Sequence, residues 1–162
     1  MSTIKRIAQL ILAVATLVWA GAGTVQAYSE EYTGWHNGSK MSVSIDEDTV
    51  VIRYVHPKGS LRKHGVRSGT VLFDGHISGN RRIEGDAKVF RRGCSPASYF
   101  VSGKFKQGRR SFTLRGDAPR RASGGCSIVG YTSSSSNARL GFNSLVSEGD
   151  SDADGYDEEE ES

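Results

Sequence analysis

The chain has 162 residues, with 21 Lys and Arg, 18 Asp and Glu, 20 glycines and 2 cysteines. That length suits one domain with appendages, and two cysteines without a short spacing are too few soft ligands for a structural zinc site. The formal net charge of +3 conceals a division: residues 28–147 carry 19 Lys and Arg against 9 Asp and Glu, while residues 148–162 carry 9 acids and no base. A +10 body joined to a −9 tail marks an interaction tail or a basic surface with an anionic partner.

The first 27 residues have the three parts of a secretory signal. Lys5 and Arg6 form the positive end, Leu10 to Gly21 the apolar stretch, and Val25-Gln26-Ala27 a small-x-small cleavage site. The apolar stretch is shorter than the roughly 20 residues a bilayer-spanning helix needs. The mature chain is therefore expected to begin at Tyr28, exported to the periplasm or beyond. In such an oxidising compartment Cys94 and Cys126 are most simply one disulfide.

The segment GWHNGSKM opens the body with a turn signal at Asn37-Gly38, and Trp35 and His36 beside it are expected to plug a barrel end. Alternating runs follow: Met41, Val43 and Ile45; Val50, Ile52 and Tyr54; Val71 and Phe73; Ala87 and Val89. Tyr99, Val101 and Phe105, then Phe112 and Leu114, then Leu140 and Phe142 continue them. Period two is the mark of strands with one buried face. Turn chemistry separates the runs at Glu47-Asp48, Gly79-Asn80, Gln107-Gly108 and Gly116-Asp117, and Ser133 to Ser136 read as a loop. No stretch of the mature chain sustains a helical period. The expectation is all-β: a small antiparallel barrel or sandwich of about seven or eight strands over residues 28–147, tied by one disulfide.

Basic residues cluster between these strands. Lys58, Arg62, Lys63 and Arg67, with His56 and His64, fill one turn region; Lys104, Lys106, Arg109 and Arg110 flank another. Arg81-Arg82, Arg91-Arg92 and Arg120-Arg121 fall at further turns. Forked guanidinium groups suit phosphate and carboxylate. Outside the cytoplasm the matching partners are an anionic polymer, a lipid headgroup at a membrane surface, or an acidic protein. Nucleic acid is less available there. Arginine on exposed strand faces also blunts edge-to-edge pairing with no ligand involved.

Residues 148–162, with Tyr156 as the one large apolar group, lack the surface to offset ordering entropy and are expected to be a disordered acidic tail. Asp150, Asp152, Asp154, Gly155 and Glu161 match the calcium-loop pattern D-x-D-x-D-G-x5-E. No amphipathic helix precedes Asp150 and one residue follows Glu161, so weak cation screening ranks above a calcium site and no cofactor is expected. The four histidines show no short metal spacing.

Catalytic signatures are missing from the sequence as well. It holds no serine elbow between glycines and no His-Glu helix motif, so no residue is assigned a catalytic role. The expected function is non-catalytic: an exported binding module for an anionic envelope or extracellular ligand, modulated by the acidic tail.

The segments WHNGSKM, RYVHPK, GTVLFDG, VFRRGCSPASYFVSG, LRGDAP and CSIVGY resemble a group of small exported proteins of α-proteobacteria. That resemblance runs from about Trp35 to Phe142 and implies one exported domain with a disulfide. It brings no activity and no functional residues. An alternative function, inhibition of an exported hydrolase, comes from YFVSGKF and FTLRGD followed by Cys126, which is similar to small periplasmic lysozyme inhibitors. The basic body counts against a cationic lysozyme as the target.

Overall fold

The computed structural model describes residues 29–106 and 110–147. Eight antiparallel strands close into a barrel: β1 (Ser29–His36), β2 (Ser39–Asp46), β3 (Thr49–His56), β4 (Val71–Ser78), β5 (Arg82–Val89), β6 (Ala97–Phe105), β7 (Phe112–Arg115) and β10 (Arg139–Ser147). Around the barrel they run β1-β10-β7-β6-β5-β4-β3-β2. A separate two-stranded arm, β8 (Ala118–Arg121) with β9 (Ile128–Thr132), lies between β7 and β10 in sequence. One five-residue helix, α1 (Gly59–Lys63), sits in the β3–β4 connection. Closure removes the free strand edges that an open sheet of this size would present.

The alternating runs place their apolar members inside. Met41, Val43, Val50, Ile52, Phe73, Ala87, Val101, Leu114 and Phe142 are all fully buried. Phe112 stacks on Phe142 at 4.7 Å and meets Phe105 edge-on at 4.9 Å, so one aromatic column fills the interior beside β7. Space for the large rings comes from glycine. Gly75 and Gly85 are cross-strand partners, and a Cβ on either would lie 2.3–2.4 Å from backbone atoms of the other strand. The Phe73 ring takes the room they leave, 2.6 Å from where a Gly75 Cβ would stand.

The turn at Asn37-Gly38 has φ of 48° and 78° at its two residues, the double left-handed pattern of a type I′ hairpin, which fits the twist of the flanking strands. The aromatic plug is not the tryptophan. Trp35 points outward and is 59% exposed, while His36 turns inward and stacks on Phe142 at 4.9 Å. Strand alternation decides this: Tyr32, Gly34 and His36 share the inner face, which leaves Trp35 outside.

β10 changes partner along its length. Arg139 to Phe142 pair with β7, whereas Asn143, Val146 and Ser147 pair with β1. A bulge at Ser144, whose φ is 53°, shifts the alternation so that Leu145 as well as Leu140 and Phe142 faces the core.

Strand directions sort the connections between two ends. The helix end carries the 37–38 turn, the 57–70 loop with α1, the 90–96 loop and the β8–β9 arm. The tail end carries the 47–48 and 79–81 turns, the end of β6 at Phe105 and the start of β7 at Phe112, and both Ser29 and Ser147. Cys94 and Cys126 form a disulfide with Cα atoms 5.4 Å apart, fastening the 90–96 loop to the arm. Two arginines reinforce it: Arg91 donates to the Ala122 carbonyl at 2.8 Å, and Arg121 donates to the Ser95 carbonyl at 2.6 Å and to that of Cys126.

A cationic groove at the helix end

The 57–70 loop is held down by its apolar members. Val66 is fully buried and Leu61 packs against the core, which turns the intervening polar side chains outward. Backbone bonds fix the path: His64 N–H to the Leu61 carbonyl at 2.9 Å, Gly65 N–H to Arg62 at 3.1 Å and Val66 N–H to Leu61 at 3.2 Å. Gly65, at φ 90°, supplies the left-handed step that ends α1. The base is pinned by Ser39, a fully buried serine whose Oγ accepts the Lys58 N–H at 3.0 Å.

Between this loop and the 90–96 loop lies an open groove of about 440 Å³, lined by Arg62, Lys63, His64, Arg67 and Arg92, with Gly65 and Gly93 between them. Its two sides are tied together, since the Arg92 N–H donates to His64 Nδ1 at 3.1 Å. That bond places the proton of a neutral His64 on Nε2, leaving a donor on the ring. The Arg67 guanidinium is oriented by two carbonyls, those of Arg62 at 2.8 Å and Val66 at 3.0 Å. The groove thus gathers four cationic side chains around hydrogen-bond donors.

None of these four cations is ion-paired with a described carboxylate. The ion pairs found among the described residues lie on β4 and β5: His76 with Glu84 at 3.3 Å, Arg82 with Glu84 at 2.7 Å and Lys88 with Asp74 at 3.1 Å. Arg82 holds the Glu84 carboxyl below the usual carboxylate range. Of the nine described carboxylates, Asp117 stands at the helix end, while Glu30, Glu31, Asp46, Glu47, Asp48 and Glu84 lie toward the tail end. The barrel is electrically polar along its axis.

The sequence-derived cations divide accordingly. Lys58, Arg62, Lys63 and Arg67 stand at the helix end; Lys104, Lys106 and Arg110 stand at the tail end, and Arg109 lies outside the described residues. They do not form one face. Arg92 joins the first set in space, a partnership its distance along the chain hides, while Arg91 and Arg121 are engaged with backbone carbonyls. The calcium-pattern residues Asp150, Asp152, Asp154 and Glu161 also lie outside the described residues. Among those described, no three His, Cys, Asp or Glu side chains gather to hold a metal ion.

A second depression, of about 340 Å³, opens where β1 and β10 part, lined by His36, Asn37, Ser136, Arg139, Gly141 and Asn143. His36 Nδ1–H donates to the Gly141 carbonyl at 2.9 Å, replacing a ladder bond the strands do not make there. Burial, and secondarily the Lys58 charge, hold the His36 pKa below its ordinary 6.5.

Comparison with protein-family models, curated proteins and solved structures returned no match.

Proposed function

We propose that the chain is an exported, non-catalytic binding module whose helix end takes an anionic envelope or extracellular ligand, its affinity modulated by the acidic tail. The observation carrying this reading is the groove of Arg62, Lys63, Arg67 and Arg92, gathered with no described carboxylate ion-paired to them while the acids collect toward the other end. Like charges brought together cost free energy that an anion relieves. The partners that fit are an anionic polymer, a lipid headgroup or an acidic protein, and no cofactor is needed.

The tail follows Ser147 on β10, four places around the barrel from β4, so the groove lies across the barrel as well as a strand length along it, and nine residues of β10 span about 26 Å. Residues 148–162 reach at most about 50 Å, which covers that axial distance and leaves length for the crossing. Lys104, Lys106 and Arg110 are nearer to Ser147. Tethered charge acts at an effective concentration around millimolar.

A heparin column read with a salt gradient tests this proposal. The full chain should be retained and released steeply by salt, and a chain ending at Ser147 should elute later. Equal elution of the two removes tail modulation; absence of retention for both removes the anion-binding reading.

The alternative, an inhibitor of an exported hydrolase, draws on the disulfide-tied arm, where Val129 is 57% and Tyr131 61% exposed. A stoichiometric complex persisting at high salt would favour it.

A further inference from the structure

We infer that the seam between β1 and β10 is a saccharide subsite, and that the ligand of the helix end is an acidic polysaccharide lying across both depressions. This rests on the anion-binding reading above and specifies its ligand.

The groove and the seam differ chemically. The groove presents cations and N–H donors. The seam mixes donors with acceptors, as a polyhydroxylated ligand requires. Because His36 Nδ1–H is committed to Gly141, the neutral ring offers Nε2 as a bare acceptor. Asn37 and Asn143 each present a carbonyl and an amino group, and the Ser136 hydroxyl both gives and accepts. A bare imidazole acceptor repels an anion and welcomes a hydroxyl. One guanidinium, Arg139, supplies the place for a carboxylate or sulfate.

Two features beside the seam support the assignment. Trp35, 59% exposed, is the cross-strand partner of Asn143 on the outer wall, which puts a large flat ring at the rim of the depression. An exposed indole next to amide side chains suits the apolar face of a pyranose. Arg139 stands directly opposite Arg115 across the β10–β7 pair, an opposition of like charges that an anion held by Arg139 would lessen. The volume, about 340 Å³, lies at the small end of ligand sites, the scale of sugar rings.

Lys58 connects the two depressions. Its side chain lies beside the 37–38 turn, 3.9 Å from where a Gly38 Cβ would be, and it immediately precedes α1, which delivers Arg62 and Lys63 to the groove. A polymer with an acidic unit in the seam would cross Lys58 to reach the groove.

The test uses the full chain with three probes of equal length: oligogalacturonate, the neutral maltohexaose and a single-stranded oligothymidylate. Oligogalacturonate should bind and shift Trp35 emission, a change absent in Trp35→Phe. Trp35→Ala and Arg139→Ala should each weaken binding about tenfold, and Arg62→Ala with Lys63→Ala should weaken it further. If only the groove substitutions matter, the seam subsite is overturned and the groove reading stands. If neither set matters, both fall. Equal binding of maltohexaose overturns the acidic character of the ligand. Equal or tighter, Trp35-dependent binding of oligothymidylate overturns the saccharide assignment in favour of nucleic acid.

Discussion

His64 and Arg92 are joined across the mouth of the barrel: the Arg92 backbone N–H donates to His64 Nδ1 at 3.1 Å, so an α1-loop side chain sets the position of the 90–96 loop. The bond aligns two of the groove's walls before any ligand arrives. His64→Leu should weaken binding of a heparin oligosaccharide several-fold while costing only about 1 kcal/mol of stability. Titration calorimetry and denaturant unfolding on the same protein read the two effects separately.

The disulfide holds the arm, not the barrel. Replacing Cys94 and Cys126 together by serine opens a loop with a separation of 32 residues, worth roughly 3–4 kcal/mol in the unfolded chain. The double variant should unfold at lower urea concentration yet keep the far-ultraviolet spectrum of the barrel, because the interior rings from Phe73 to Phe142 are carried by the barrel strands.

Gly85 tests the packing of the interior. An alanine Cβ there would lie 2.4 Å from the Gly75 Cα and the Asp74 carbonyl oxygen, atoms of a backbone that has no room to withdraw. Gly85→Ala should cost about 3 kcal/mol or more, the upper part of the range for overfilled cores. A urea midpoint unchanged from that of the parent chain would refute the close approach of β4 and β5.

His36 gives the fold a pH dependence of definite sign. Its folded pKa lies below 6.5, so near and below that value the unfolded chain takes up the proton more readily. Stability from this group is therefore complete above about pH 6.5 and falls as the pH drops through the folded pKa. His36→Gln should show a shallower fall in melting temperature between pH 7 and pH 5 than the parent.

Much of the barrel is legible in the sequence, because period two is a local property. The runs 41–45, 50–54, 99–105, 112–114 and 140–142 bury the residues their alternation points inward, and the cysteines pair as compartment chemistry suggests. β1 is harder to read, since its inward positions are Tyr32, Gly34 and His36, a series with no aliphatic residue. That irregular face, closed by a bulge at Ser144, is also why the plug is His36 and Trp35 is outside. The helix end is legible only in part. The 57–70 cluster is contiguous in sequence, but Arg92 enters the groove through a pairing of two loops that no local pattern encodes. Nor does spacing reveal that Lys104, Lys106 and Arg110 lie at the opposite end, because that follows from strand direction in the closed barrel.

The central claim is that anion affinity resides in one end of the barrel and not in net charge, and two triple variants of equal charge separate these. Arg62→Ala, Lys63→Ala and Arg92→Ala together should lower affinity for a heparin oligosaccharide at least tenfold and reduce its salt dependence by about one cation contact per residue removed. Lys104→Ala, Lys106→Ala and Arg110→Ala together should change it less than about twofold. Equal losses from the two sets would contradict the account, leaving a positively charged barrel without a site.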